Sequence, residues 1–187
     1  KSRTKQVHQS PLHVVSHSTE GFALDWSPTT PGALLSGDGK GQVLLTHSAD
    51  GVSWVTDAEA FQGHSDSVED LQWSPVEQTV FASCSVDKTV AISDTRQRSR
   101  PAIAFQAHDC DVNVISWSRL TSCMLASGGD DGTMRIWDMR YLGGAGSSPA
   151  PVAHFDYHKQ PITSVQWSPH EGSMVAASCA DDQVTFW

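Results

Sequence analysis

The chain has 187 residues, of which 39% are hydrophobic and 18% charged, a composition typical of a globular protein and not of a disordered one. Its 12 Lys and Arg against 21 Asp and Glu give a net charge of −9, which argues against a direct nucleic-acid partner because sequence-independent binding needs a basic surface. No run of about 18 apolar residues occurs, so we expect no membrane span.

The first predicted element, Leu12-His13-Val14-Val15, is a short apolar strand that precedes a recurring pattern. Four times along the chain a tryptophan stands nine residues after a histidine. These pairs are His17 and Trp26, His64 and Trp73, His108 and Trp117, and His158 and Trp167. Because successive histidines are 47, 44 and 50 residues apart, the chain is built from repeats.

Each repeat predicts the same succession of strands. A first strand ends at the tryptophan, and after a loop a short apolar strand follows, at 33–36, 80–83, 124–127 and 174–178. Acidic or glycine-rich turn residues then lead into an alternating third strand. The clearest turn is Asp131-Gly132, a strong hairpin signal because glycine adopts positive φ without steric cost. No sustained 3.6-residue periodicity occurs, so the repeats predict antiparallel β-structure.

Repeats of 40 to 50 residues with a Gly-His start and a Trp-Asp end resemble the WD-repeat β-propeller, in which one repeat makes one four-stranded blade. The most specific matches are Gly63-His64, Trp137-Asp138 and the run at 127–132. We therefore expect an all-β fold of about four blades of a seven-bladed ring. The predicted units are 12–58, 59–101, 102–151 and 152–187, and residues 1–187 form one partial propeller. This stretch alone is expected to expose sheet edges.

In WD repeats the histidine, a Ser or Thr on the second strand, an Asp in the next turn and the Trp of Trp-Asp form a hydrogen-bonded chain, here termed the tetrad. Two complete tetrads are expected. They are His108, Ser127, Asp131 and Trp137 in the third unit, and His158, Ser178, Asp181 and Trp187 in the fourth. The second unit keeps His64, Ser83 and Asp87 but has Ser93 for Trp. The first keeps His17 and Ser36, with Lys40 and Thr46 at the Asp and Trp positions.

No catalytic set, cofactor-binding motif or metal site is predicted. The sequence has no G-x-S-x-G, no P-loop and no G-x-G-x-x-G before a helix, so we expect no enzyme and no cofactor. His154 and His158 have metal-like spacing, but the segment reads as strand and turn and not as one helix face. Cys84, Cys110, Cys123 and Cys179 form no C-x-x-C pair and are expected to be reduced thiols.

Two loops interrupt the pattern. The Gly- and Ser-rich segment 143–151 is predicted to be a flexible surface loop. The basic segment 96–101 could touch phosphate, although such a run is more often simply solvated.

The sequence around the tryptophans is more specific than the general pattern of a WD repeat. Four segments are similar to sequences of the histone-binding WD-repeat proteins and closer still to those of the glutamate-rich WD-repeat protein family. These segments are 20–28, 67–75, 111–119 and 162–167. That resemblance covers essentially all 187 residues. It implies a nuclear and nucleolar ribosome-assembly factor that acts as chaperone for the large-subunit ribosomal protein three, with a further link to histones.

A chaperone of a basic ribosomal protein needs an acidic surface, since opposite fields steer encounter and mask charge. The loops after each histidine offer such a surface. The predicted partner-binding residues are Glu20, Phe22, Glu69, Asp70, Asp109, Asp111, Asn113 and Thr163. Alignment of the four repeats makes four of these residues equivalent, so they should form a ring at one end of the channel. They are Phe22, Glu69, Asn113 and Thr163. Reversing Glu69 and Asp70 to Lys is expected to weaken client binding without lowering the melting temperature.

Two alternative functions remain open at the level of sequence. One is a histone-binding chromatin protein, which shares the E-G-F-A-L-D-W phrase and the acidity. The other is a substrate receptor of a cullin–RING ubiquitin ligase, because Trp137-Asp138-Met139-Arg140 resembles the motif that docks on the ligase adaptor. In that case Arg140 would contact an acidic adaptor surface; otherwise it makes a local ion pair.

Overall fold

A computed structural model describes residues 10–142 and 149–187; most of the glycine- and serine-rich loop predicted at 143–151 lies outside that range. The described residues form four antiparallel sheets and one short 3₁₀ turn, Met139–Tyr141. Each sheet is one blade, so the expected partial propeller of about four blades is confirmed.

The strands follow one another along the chain and pair with their neighbours in sequence. Blade one contains β1 (Gly21–Trp26), β2 (Ala33–Asp38), β3 (Val43–Ser48) and β4 (Trp54–Thr56). Blade two contains β5 (Val68–Trp73), β6 (Val80–Ser85), β7 (Thr89–Asp94) and β8 (Ile103–Gln106). Blade three contains β9 (Val112–Trp117), β10 (Met124–Gly129), β11 (Met134–Asp138) and β12 (Ala153–Phe155). Blade four contains β13 (Ile162–Trp167), β14 (Val175–Cys179) and β15 (Val184–Phe186).

The first strand of each blade lies next to the first strand of the following blade, so β1, β5, β9 and β13 line the axis. All four run in one direction, from the histidine loop to the tryptophan. The blades therefore share two ends, which we term the histidine end and the tryptophan end. The histidine end carries the links between blades and the β2–β3-type turns.

The hydrophobic core lies between the blades. Leu35 and Val43 of blade one pack with Leu71 and Phe81 of blade two. The same pattern joins blade two to blade three, through a cluster that includes Phe105 and Trp137, and blade three to blade four. Each inner blade is thus stabilised by two neighbours, because burial of both sheet faces removes most apolar area from water.

The two outermost faces of this arc are apolar and bare. Leu24 of β1 is 66% exposed, whereas its equivalent Leu71 in blade two is 1% exposed. At the other face Phe186 is 72% exposed, whereas the equivalent Ile136 is 6% exposed. Faces of this kind are covered by further blades in a closed propeller, which is the physical basis for the expectation that this stretch alone exposes its edges.

The predicted unit boundaries cut two blades short. Strands β8 and β12 pair backward with β7 and β11, although both lie beyond the boundaries predicted at 101 and 151. Those boundaries fall before the outermost strand, which returns to its own sheet just ahead of the next histidine. Residues 12–15 are not a strand in the structure, because the described residues hold no third strand of a preceding blade for them to pair with.

The turn before each third strand has one residue in the left-handed region. Gly132 has φ +73°, and a Cβ there would lie 2.8 Å from the carbonyl oxygen of His158 in the next blade. Glycine at this position therefore permits close blade packing and also adopts the turn conformation without strain. Lys88 and Asp182 hold the equivalent position with φ of 74° and 64°.

Among the described residues, no helix has the length and apolar character needed to cross a bilayer.

Candidate protein-binding face

The tetrad of the third unit is complete. His108 Nδ1 lies 3.1 Å from Asp131 Oδ2, and His108 Nε2 lies 2.8 Å from the Ser127 hydroxyl, to which Trp137 Nε1–H donates at 2.9 Å. The Thr133 hydroxyl also donates to Asp131 Oδ1. Burial opposes charge on Asp131, yet the hydrogen bonds from Thr133 and His108 lower the pKa of this carboxyl overall. The network fixes the β10–β11 turn to the histidine loop.

The second unit makes the same contacts without a tryptophan. His64 Nε2 lies 2.7 Å from the Ser83 hydroxyl, and His64 Nδ1 lies 3.1 Å from Asp87 Oδ2. Ser93 stands at the Trp position and is buried. Loss of the indole therefore leaves the histidine–serine–aspartate part of the network in place.

In the first unit a different aspartate lies beside the histidine, within ion-pair distance but without a hydrogen bond to it. His17 Nε2 lies 2.8 Å from the Ser36 hydroxyl, as expected. Lys40 occupies the aligned Asp position, but Asp38, fully buried and two residues earlier, places Oδ2 3.4 Å from His17 Nδ1. Thr46, at the Trp position, bonds to the Thr56 hydroxyl instead. Alignment alone missed Asp38 because it lies at the end of β2 and not in the turn.

In the fourth unit the prediction that Ser178 joins the tetrad is wrong. His158 Nδ1 does contact Asp181 at 2.8 Å, but His158 Nε2 and Trp187 Nε1 both bond to the Thr185 hydroxyl, each at 2.9 Å. The residue ten after the blade's tryptophan is Ala177, and its cross-strand partner is Thr185. Ser178 lies one residue further along, so it faces the other side of the strand and bonds to Thr163.

We expect Thr185→Val to destabilise the full-length protein by about 1–3 kcal/mol, because the change keeps the side-chain volume but leaves two ring nitrogens without a partner. Urea unfolding at neutral pH measures the difference. Ser178→Ala is the matched control and should cost less than about 0.5 kcal/mol. Equal losses for the two variants would show that Thr185 does not stand in for the tetrad serine.

The four residues predicted to ring one end of the channel share a structural feature that the sequence did not reveal. The register of each first strand shifts at its second residue, so that Phe22, Glu69, Asn113 and Thr163 are each skipped by the cross-strand pairing. Each is the extra residue of a β-bulge, and bulges turn side chains out of the sheet, often beside binding sites. These four residues therefore lie at the mouth of the channel at the histidine end.

The bulge residues differ in their freedom to bind a partner. Phe22 is 54% exposed. Asn113 donates to Asp130 and to the Ile162 carbonyl, so it also links blade three to blade four. Thr163 is held by Ser178. Glu69 makes no side-chain hydrogen bond to any described residue and is the acidic member of the ring.

The other predicted acidic residues lie at the same end, with one exception. Glu20 and Asp109 are exposed and Asp111 is half-buried, all in the loops that follow the histidines. Asp70 instead points into the wall between blades two and three, where its Oδ2 accepts the Ile115 N–H at 3.0 Å. Burial raises the pKa of Asp70 to about 6, with the nearby Asp25 carboxylate adding to the rise. We therefore expect Asp70→Lys to lower the melting temperature, contrary to the expectation from sequence.

We expect Asp70→Asn to remove a pH dependence of folding. Because the folded pKa of Asp70 lies above its unfolded value of about 3.9, the wild-type protein loses stability as the pH rises from about 4 to about 6, and the loss is constant above that range. Asn can still accept the Ile115 N–H. The variant should therefore gain about 2 kcal/mol relative to wild type between pH 4 and pH 7, measured by urea unfolding. A difference that does not change with pH would contradict the assignment.

Comparable bonds join each pair of neighbouring blades at the tryptophan end. Asp25 accepts the Trp73 N–H at 2.7 Å, Gln72 accepts the Trp117 N–H at 2.7 Å, and Ser116 accepts the Trp167 N–H at 3.1 Å. The tryptophans thus pack and bond between blades, and Trp73 and Trp117 are buried. This end of the channel has a structural role in holding successive blades together.

Arg140 makes the local ion pair. Its Nε donates to Asp138 Oδ1 at 2.9 Å, and this bond lowers the pKa of Asp138. Arg96 contacts Asp94 in the same way in blade two, where no tryptophan precedes the aspartate. Arg98 pairs with Asp57 of blade one. The basic loop 96–101 therefore has two of its three arginines neutralised within the protein.

Comparison with known proteins agrees with this architecture. The family described as "WD domain, G-beta repeat" matches residues 54–94, 99–138 and 149–187, so the chain is a WD-repeat protein. It is 59% identical over 182 residues to Protein HEAT STRESS TOLERANT DWD 1 of Arabidopsis thaliana and 48% identical over 181 residues to Ribosome assembly protein rrb1 of Schizosaccharomyces pombe. These matches cover 97% and 95% of this chain but only 38% and 37% of the relatives.

A third relative is the Glutamate-rich WD repeat-containing protein 1 of Dictyostelium discoideum, 53% identical over 95 residues, which are 50% of this chain and 19% of that protein. The chain belongs to the glutamate-rich WD-repeat family, as the phrases around its tryptophans predict.

Proposed function

We propose that this chain is part of a non-catalytic WD-repeat scaffold in ribosome biogenesis, and that its histidine end holds a basic large-subunit ribosomal protein before that protein meets RNA. The relatives named for ribosome assembly and for glutamate-rich WD repeats support the setting. A nuclear and nucleolar location follows from the same proposal. The proposal of a docking face rests on the unequal distribution of charge between the histidine end and the tryptophan end.

Acidic side chains predominate at the histidine end. They are Glu20, Asp66, Glu69, Asp87, Asp109, Asp111, Asp130, Asp131, Asp156, Asp181 and Asp182. The basic side chains there are Lys40, Lys88, Lys159, Arg135 and Arg100, the last of which lines a depression with His64 and Asp87. At the tryptophan end Arg96 pairs with Asp94 and Arg140 pairs with Asp138, so part of the acidic charge there is neutralised. A basic client is therefore drawn toward the histidine end, because opposite fields steer encounter and raise the association rate.

Ribosomal proteins carry basic extensions that bind RNA, and without RNA this charge needs a partner. The exposed ring of Phe22 and the unpaired carboxylate of Glu69 combine an apolar contact with a charge at the mouth of the channel. Such a pairing suits a segment in which basic and apolar residues alternate, since apolar contact adds affinity that salt does not screen.

The test is a salt titration of binding by the full-length protein, with the purified large-subunit ribosomal protein and core histones as separate ligands. We expect selective capture of the ribosomal protein that persists at physiological salt. Equal and steeply salt-sensitive binding to both ligands would mean that the acidic end attracts any basic protein, and would reject the assignment of a dedicated client.

The histone-binding alternative depends on the same acidic end, so the same titration decides it. Tight capture of histones with weak capture of the ribosomal protein would favour a chromatin role. The structure offers no second acidic end among the described residues to separate the two clients.

The ubiquitin-ligase alternative depends on Arg140, whose side chain is 63% exposed beyond its ion pair with Asp138. If this arginine docks on a ligase adaptor, Arg140→Ala should reduce adaptor capture at least about tenfold, which corresponds to about 1.4 kcal/mol. Arg96→Ala is the matched control, because Arg96 makes the same ion pair without the Trp-Asp motif. Equal capture by both variants would reject docking through Arg140.

A further inference from the structure

One group of side chains at the histidine end has a chemistry that protein binding does not use. His108 Nδ1, Cys110 Sγ and an oxygen of Asp131 lie within 4.8 Å of one another. Imidazole nitrogen, thiolate and carboxylate are all ligands of Zn²⁺. Sequence spacing points instead to His154 with His158, and His154 belongs to no such group among the described residues.

Hydrogen bonds from neighbouring groups fix the positions of the three ligand atoms. The Ser127 hydroxyl fixes the ring of His108 through Nε2, and the Thr133 hydroxyl fixes Asp131 through Oδ1. Cys110 Sγ accepts the Asp131 N–H at 3.0 Å, which keeps the sulfur beside the carboxylate. Partners of this kind orient metal ligands and raise site affinity. His108 is buried while Asp131 has a side chain 24% exposed, so the group opens to solvent on the carboxylate side.

The spacing suits one tetrahedral ion. Zn–N, Zn–O and Zn–S bonds of about 2.0–2.3 Å place ligand atoms roughly 3.5 Å apart. His108 Nδ1 and Asp131 Oδ2 are 3.1 Å apart already, and the sulfur, which lies within 4.8 Å of both groups, needs to approach them by up to about 1.3 Å. Arg135 donates to Asp131 Oδ2 at 3.3 Å and has to give up that contact when an ion binds.

We propose that His108, Cys110 and Asp131 form a site for a single Zn²⁺ ion, with a water molecule as the fourth ligand. On binding, the thiol of Cys110 loses its proton to solvent. The imidazole stays neutral, because Nδ1 binds the ion through its lone pair while the ring proton sits on Nε2, which then donates to Ser127. One proton is released for each ion bound. The ion ties the histidine loop to the β10–β11 turn at the face proposed to hold the client.

Blade four offers an internal comparison. His158, Cys179 and Asp181 form a second group of the same composition. There the sulfur is buried and donates to the Gln160 carbonyl at 3.1 Å, a shorter contact than the 3.5 Å between the half-buried Cys110 Sγ and the Asp111 carbonyl. Blade two has Asp66 and Ser85 at the two positions where blades three and four place a thiol. The ion is therefore assigned to Cys110 and not to Cys179.

The test is a Co²⁺ titration of the reduced, metal-free full-length protein, read by the thiolate-to-cobalt charge-transfer absorption, with Zn²⁺ added afterwards as competitor. We expect the band in wild type and in Cys179→Ser, its loss in Cys110→Ser, and at least about tenfold weaker binding in Asp131→Asn. Displacement of cobalt by Zn²⁺ and release of about one proton per Zn²⁺ in weak buffer complete the expected result.

An unchanged band in Cys110→Ser, or the absence of a band in wild type, overturns the proposal. Unfolding midpoints of the two serine variants serve as the folding control. Both serine hydroxyls can still take part in the hydrogen bonds made by the two sulfurs. The client-binding proposal is judged separately, since Cys110→Ser leaves the acidic side chains of the histidine end in place.

Discussion

Replacing Trp137 by Ala is expected to destabilise the full-length protein by about 4 kcal/mol, a large loss for a single substitution. The indole is 1% exposed and lies edge-on to Phe105 of blade two, with ring centroids 4.8 Å apart. Its Nε1–H also donates to Ser127 inside the tetrad. The substitution therefore leaves a cavity between two blades and removes one of the two hydrogen-bond partners of the Ser127 hydroxyl, which keeps its bond to His108.

Trp137→Phe separates the two contributions, because phenylalanine fills most of the space but cannot donate to Ser127. We expect it to cost about 1–2 kcal/mol. Urea unfolding of the full-length protein, followed by tryptophan fluorescence and by circular dichroism, measures both variants. A loss below about 1 kcal/mol for Trp137→Ala would mean that blade two and blade three are not held together through this residue.

Reversing two free carboxylates at the histidine end is expected to weaken binding of the basic client by about 30-fold, or about 2 kcal/mol. The variant is Glu20→Lys with Glu69→Lys. Neither side chain makes a hydrogen bond to a described residue, so the loss should come from charge and not from folding. Isothermal titration with the ribosomal protein at physiological salt measures it.

The control variant reverses two carboxylates at the opposite end, Glu77→Lys with Glu171→Lys, and changes the net charge by the same amount. Its affinity should stay within about threefold of wild type, because these charges lie beyond a Debye length from the histidine end. If both double variants lose affinity equally, net charge and not a docking face governs the interaction. The melting temperature of the histidine-end variant should remain close to that of wild type, and the control loses in addition only the exposed contact that Ser173 makes to Glu171.

Much of this fold can be predicted from the sequence because the same repeat occurs four times. The spacing from each histidine to its tryptophan locates every inner strand, and Asp131-Gly132 locates a turn that the structure contains. The blade boundaries were less predictable. A short outer strand such as β8 has no motif of its own, and only its pairing with β7 assigns it to a blade.

The candidate site was predicted in outline and missed in detail. The sequence identifies the acidic residues that follow the histidines, but it does not show which of their carboxylates are exposed. An aspartate in a loop and an aspartate in the wall between blades have the same signature in the sequence. Asp70 and its neighbour Glu69 alternate along one strand, and only the bulge decides that Glu69 turns to the channel mouth. Thr185 was missed because a hydroxyl on the adjacent strand can replace one that the second strand lacks.

Hydrogen exchange of the full-length protein, with and without the ribosomal protein, tests the docking face most directly. We expect slower exchange on binding in the loops at 65–69 and 109–113, with no change in the loops at 74–79 and 118–123 at the opposite end. Protection confined to the tryptophan end, or absent from all of these loops while the complex is saturated, would contradict the claim that the acidic histidine end of this propeller holds the client.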